Sequence, residues 1–194
     1  MDTLSLALAQ INPVVGDIEG NSARMLASRA EMAGEGVDLV VFPELSVCGY
    51  SPEDLVLKPS FLDTVDAAIE RLAAATADGG PAILIGAPLR IEGSLYNAAL
   101  LLDGGEVVAR CLKHDLPNYS VFDEMRVFTP GPLSGPVEFR GLRLGVMICE
   151  DMWEPGVARH LGEAGAEMLI VLNASPFEMG KTETRRRLAE MRVD

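Results

Sequence analysis

Three cysteines and two histidines are all that this 194-residue chain offers to a soft metal or a disulfide framework. The cysteines are odd in number, form no CxxC pair and share no ligand-like spacing with His114 and His160, so neither zinc nor bridges are expected. Scarce cysteine also fits a reducing compartment, and a cytoplasmic location is the expectation. Aromatic residues make up only 5%, too few for a base-stacking platform. Cations are outnumbered, 16 Lys and Arg against 29 Asp and Glu, and the formal charge of −13 disfavours nucleic acid as a partner. No apolar run approaches the roughly 20 residues of a membrane span. Met1-Asp2-Thr3 lacks the basic, then apolar, start of a secretory signal. A Gly-rich phosphate loop is missing too, so no ATP site is expected in this chain.

What the chain has is apolar patterning. Hydrophobic residues reach 48%, and the length suffices for one sizeable domain. A strand at 4–10 carries Leu4, Leu6 and Leu8 on one face. Asn21 or Ser22 is expected to cap a helix running to about Ala33, and 37–42 reads as a strand buried on both faces. Ser60 with Asp63 resembles a capping box for a second helix, which Asp78-Gly79-Gly80 ends. Strands follow at 82–86, 95–102 and 106–113, the last two joined through Asp103-Gly104-Gly105 as a hairpin. The turn-rich stretch 115–136 is either an active-site loop or a long connection. A strand at 143–148, a helix at 155–164, a strand at 168–172 and a basic helix from about Thr182 complete the reading. Strands alternating with helices, plus an internal hairpin, predict an α/β layered fold with a mixed sheet. Ending in a helix with no closing strand, the chain reads as a piece of a longer protein.

Three apolar runs end on reactive side chains: Phe42-Pro43 on Glu44, Cys111-Leu112 on Lys113, and Met147-Ile148 on Cys149. Open α/β folds bind ligands beyond such strand ends. A carboxylate, an ammonium and a thiol in one site suit amide hydrolysis. Glu44 would take the thiol proton and pass it to the leaving amine. Lys113 and the backbone N–H of Glu150 would hold the oxyanion. Each residue alone has a plainer reading. A Cys ending an apolar run is more often a small buried hydrophobe, Glu44 could cap a loop, and Lys113 could be a solvated strand end. Spacing by itself leaves the choice about even.

The segments around them carry a resemblance. Val41-Phe42-Pro43-Glu44-Leu45, Leu112-Lys113-His114-Asp115-Leu116-Pro117-Asn118-Tyr119 and Ile148-Cys149-Glu150-Asp151-Met152-Trp153 resemble the three signatures of the nitrilase, or carbon–nitrogen hydrolase, superfamily. The stretches 117–124 and Asn173-Ala174-Ser175-Pro176-Phe177 resemble its glutaminase branch, the glutamine-hydrolysing domain of glutamine-dependent NAD synthetases. The resemblance implies a four-layer αββα sandwich and a triad of Glu44, Lys113 and Cys149. It implies glutamine contacts at Tyr119, Ser175, Lys181 and Glu150, with Glu124 positioning the lysine or the substrate. It also implies that L-glutamine is cleaved through a Cys thioester, and that ammonia passes to a synthetase domain amidating deamido-NAD. ATP, Mg²⁺ and deamido-NAD would belong to that domain, which residues 1–194 lack; on this reading they form an incomplete amidohydrolase domain missing its last strands. A homo-oligomer is implied, with helices near Arg185-Arg186-Arg187 at subunit contacts. A stand-alone aliphatic amidase and a non-catalytic assembly fragment are the alternatives. Ser120 stands where that branch carries Gly. Cys48 and Cys111 are read as packing residues, Trp153 as packing under the site, and Asp151 as a helix N-cap.

Overall fold

Strands buried on both faces need a layer on each side, and the computed structural model, which describes residues 3–193, supplies them. In chain order the elements are β1 (Leu6–Leu8), α1 (Ile18–Ala33), β2 (Leu39–Val41), α2 (Pro59–Ala75), β3 (Ala82–Ile91), β4 (Ser94–Asp103) and β5 (Glu106–Leu112). There follow β6 (Val137–Phe139), β7 (Leu142–Ile148), α3 (Pro155–Glu163), β8 (Met168–Leu172) and α4 (Lys181–Val193). One sheet has the order β1-β2-β3-β4-β5, parallel through β3 and antiparallel beyond it. The second has the order β6-β7-β8, with β7 and β8 parallel.

The period of two along β3 and β4 builds the layers. Ile83, Ile85, Ala98, Leu100 and Leu102 pack with Met25, Val65 and Leu72 of α1 and α2. Their neighbours Leu84, Ala99 and Leu101 face Leu144, Val146 and Ile170 of the second sheet. Behind that sheet, Met147 packs with Val157 and Leu161 of α3. The result is the expected αββα sandwich with mixed sheets. Cys48 and Cys111 are buried packing residues, Cys111 between the sheets.

Several local expectations are corrected. α1 is capped by Asp17, whose carboxylate accepts from Gly20 N at 3.0 Å, and not by Asn21 or Ser22. Asn21 is buried inside the helix and tethers loops instead, donating to Val14 O at 2.8 Å and Val47 O at 3.2 Å. No capping box starts α2, because Pro59 with its preset φ opens the helix and Asp63 turns to Arg90, 2.8 Å away. β1 is shorter than expected, and Leu8 is exposed while Leu4 and Leu6 pack inward. β3 runs on past Gly86 to Ile91, and the hairpin strand β6 was not anticipated. The Gly104-Gly105 hairpin stands as read, with both residues at positive φ.

Candidate active site

Glu44 lies in a tight turn just beyond β2, stitched to β3 at Gly86. Gly86 N donates to Ser46 Oγ at 3.2 Å, and Val47 N donates to Gly86 O at 3.1 Å. A Cβ on Gly86 would come within 2.3 Å of Leu45 N, so the turn requires glycine there. Lys113 is the first residue past β5, and its N–H donates to Asn97 O at 2.9 Å. Cys149 follows β7 directly and opens a 3₁₀ turn, Cys149–Met152, at φ +48. That left-handed conformation is costly for a side-chain-bearing residue and marks strain stored at the strand end.

Glu44, Lys113 and Glu124 meet in one cage. Lys113 Nζ donates to Glu44 Oε1 at 2.7 Å and to Glu124 Oε1 at 2.8 Å, and all three are almost wholly buried. Tyr50 OH donates to Glu124 Oε1 at 3.0 Å, and Asn97 Nδ2 donates to Glu44 Oε1 at 2.8 Å. Ala174 N, from the segment after β8, donates to Glu44 Oε2 at 3.1 Å. Burial works to lower the Lys113 pKa, yet the facing Glu44 and Glu124 outweigh it and hold the ammonium charged. Burial raises Glu124 against the pull of Lys113.

Cys149 Sγ lies 3.8 Å from Ser175 Oγ. Burial first, then the charge of Glu44, pushes its thiol up to about 12, with Lys113 and Ser175 opposing. At neutral pH the resting group is therefore a thiol, which needs a base at the moment of attack.

The residues expected around substrate fall into two places. Ser175 shares a cavity of about 380 Å³ with Glu44, Tyr50, Asn12 and Asn173. Tyr119, Trp153, Glu178 and Lys181 line another of about 420 Å³. Tyr119 OH donates to Glu150 at 3.0 Å, and burial raises the Glu150 carboxyl. Lys181 Nζ pairs with Glu178 at 3.3 Å and sits over the Trp153 ring, 5.1 Å from its centroid. Trp153 thus faces this second cavity and does not pack beneath the site. Ser120, in the family's Gly position, stands at φ +56, where glycine bears no Cβ strain.

Asp151 is not an N-cap. Its Oδ1 accepts from His114 N at 3.0 Å and Asp115 N at 2.8 Å, while Oδ2 accepts from Ile148 N at 2.9 Å. It clamps the loop after Lys113 to the turn bearing Cys149. Reading the sequence missed this clamp, and missed Asn97 and Tyr50 as cage members. Asn97 follows Tyr96 inside an apolar strand, and its polarity there was the one available signal.

The family model described as carbon-nitrogen hydrolase matches residues 5–192. The glutamine-dependent NAD(+) synthetase of Rhodobacter capsulatus is 46% identical over 99% of this chain and 35% of its own length. The solved glutamine-dependent NAD+ synthetase of Acinetobacter baumannii, in complex with ADP, superposes with TM-score 0.91 at 36% identity, covering 96% of this chain and 35% of that one. A mutant amidase from Nesterenkonia sp. AN1, with the acetamide moiety of fluoroacetamide added covalently at its active-site cysteine, gives TM-score 0.87 at 26% identity over 98% of this chain and 71% of that one. This chain spans about a third of the length of the curated relatives it matches. Among the described residues, no helix is long and apolar enough to cross a membrane.

Proposed function

The chain belongs to the carbon–nitrogen hydrolase family, and from that premise we propose that it hydrolyses L-glutamine to glutamate and ammonia through a thioester on Cys149. The observation that carries the reading is the buried cage in which Glu44, Lys113 and Glu124 are joined at 2.7 and 2.8 Å, next to a strained thiol whose proton needs an acceptor. Glu44 takes the Sγ proton as sulfur attacks the carboxamide carbon. The oxyanion is held by Lys113 Nζ and the N–H of Glu150. Glu44 returns the proton to the nitrogen, the C–N bond breaks, and ammonia leaves. A water, deprotonated by the same carboxylate, then cleaves the thioester and restores the thiol.

Tyr119, Glu150 and Lys181 suit an amino-acid substrate. Lys181 offers a cation to the α-carboxylate and Glu150 an anion to the α-ammonium, while Ser175 sits beside the nucleophile. The synthetases among its relatives support a larger assignment, in which ammonia made here is consumed by a cytoplasmic synthetase domain holding ATP, Mg²⁺ and deamido-NAD. On this reading residues 1–194 are one incomplete amidohydrolase domain, and further copies of the chain are partners alongside that synthetase domain. The amidase likeness keeps a simpler amide substrate as the second reading.

An electrophilic glutamine analogue tests both. The intact protein is expected to gain one label by mass, blocked by excess glutamine and absent in Cys149→Ala. Cys149→Ala is also expected to abolish glutamine-supported, but not ammonia-supported, NAD synthesis. Labelling blocked by acetamide but not by glutamine would move the amidase reading forward, and no labelling of the folded protein would remove the glutamine reading and put the amidase reading first.

A further inference from the structure

Glu44 has two carboxylate oxygens, and they are not equivalent. Oε1 accepts from Lys113 Nζ at 2.7 Å and from Asn97 Nδ2 at 2.8 Å, which uses both its lone-pair directions. Oε2 accepts from Ala174 N at 3.1 Å, in the segment that carries Ser175 to the side of Cys149. We infer that Asn97 is a positioning residue that saturates Oε1 and thereby makes Oε2 the oxygen that takes and returns the proton. This rests on the amide-hydrolysis reading above and adds the atom that does the work.

Three observations converge on Asn97. Its backbone O accepts from Lys113 N at 2.9 Å, so one residue holds the lysine's main chain and, through Nδ2, the Glu44 oxygen that the ammonium binds. Its Nδ2 also reaches Glu124 Oε2 at 3.4 Å, which places one amide between the two carboxylates that flank the ammonium. Turning the amide over would set an oxygen against two carboxylates, so the network dictates its orientation. The third observation is what that orientation sacrifices. Asn97 Oδ1 is buried without a hydrogen-bond partner among the described residues, and an unpaired acceptor in the interior destabilises a fold. A residue kept for packing alone would be apolar here, like Ala98 and Ala99 beside it. β4 delivers the side chain to this place because Asn97 faces Pro88 across the ladder, where β3 passes above the Glu44 turn.

Asn97→Leu removes the donor at similar volume, and Asn97→Asp keeps the shape but exchanges the donor for an acid. In the intact protein, glutamine hydrolysis is measured first for the unaltered sequence, then for both variants, with melting followed in parallel. Inactivity of the unaltered protein would end the reading of the site itself, separately from the role of Asn97. With activity present, the folded variants are expected to lose roughly 10–100-fold in kcat, the size of a hydrogen bond to a charged group, while KM stays within about twofold. Labelling of Cys149 is expected to slow in step with kcat. Folded variants that keep kcat, or that lose activity through KM alone, would overturn the inference. So would failure of both to fold, which would mark Asn97 as structural.

Discussion

At the scale of single residues, the buried charges around this site are held by specific partners, and each leaves a measurable trace. Asp151 is 2% exposed, and burial raises its carboxyl to about 6 despite the N–H groups of Asp115, Ile148 and His114. The folded state therefore holds a proton there between about pH 4 and pH 6 that the unfolded chain releases. Stability contributed by this group is fully present below the unfolded pKa and is lost as pH rises through about 6. Asp151→Asn removes the titration, so the difference in stability between the two proteins is expected to change across that window, against the unaltered sequence as pH rises. Denaturant midpoints measured from pH 4 to pH 7 check it; a constant difference would mean the carboxylate is not desolvated as found. The placing of Glu44, Lys113 and Cys149 at strand ends was legible in the sequence because each terminates an apolar run. Their proposed roles came from the resemblance of the segments around them, spacing alone leaving the choice about even. Asn97 and Asp151 were not legible, because their roles depend on which strand ends and loops become neighbours. The local pattern around Asp151 suggested a cap, and its Oδ2 does accept from Ile148 N three residues back, but its other two partners lie 36 and 37 residues away.

The elements repeat the lesson on a larger scale. β8 was read with its observed bounds, since a continuous apolar run of five residues between polar borders is too short for a helix and suits a buried strand. β3 was cut short at Gly86-Ala87-Pro88, which looks like a break; in the sheet Pro88 pairs with Asn97 and the strand continues. Gly86 is a close-approach position and not a terminator. The backbone of the Glu44 turn passes so near that an added Cβ would lie 2.3 Å from Leu45 N and 2.7 Å from Pro43 O. Both are main-chain atoms, so neither can rotate away. Gly86→Ala is expected to shift the turn, cost about 1–3 kcal/mol of stability as overpacking does, and lower kcat for glutamine roughly 100-fold by displacing Glu44. Melting and steady-state kinetics report the two effects separately. An unchanged kcat would show that the turn is not what places the carboxylate.

For the whole molecule, the division of the site between two sheets is decisive. Glu44 and Lys113 leave the first sheet at β2 and β5, whereas Cys149 and Ser175 leave the second at β7 and just past β8. Polar links across the seam include Ala174 N to Glu44 at 3.1 Å, the Asp151 clamp to the loop after Lys113, Tyr119 OH to Glu150 at 3.0 Å and the exposed Arg140–Asp38 pair. On the proposed roles, the apolar layer beneath these links helps to set the register of Cys149 against Glu44. Leu101, buried in that layer, and Leu72 of α2, buried against the far face of the same sheet, form a matched pair. Leu→Ala at either is expected to cost about 2–5 kcal/mol. Only Leu101→Ala loosens the contact that aligns the two halves of the site. Below the melting range of both variants, the rate of Cys149 acylation per folded molecule is thus expected to fall for Leu101→Ala and to hold for Leu72→Ala. Equal rates in the two would mean that the hydrogen bonds at the seam suffice to align the halves, and that the layer beneath them contributes stability alone.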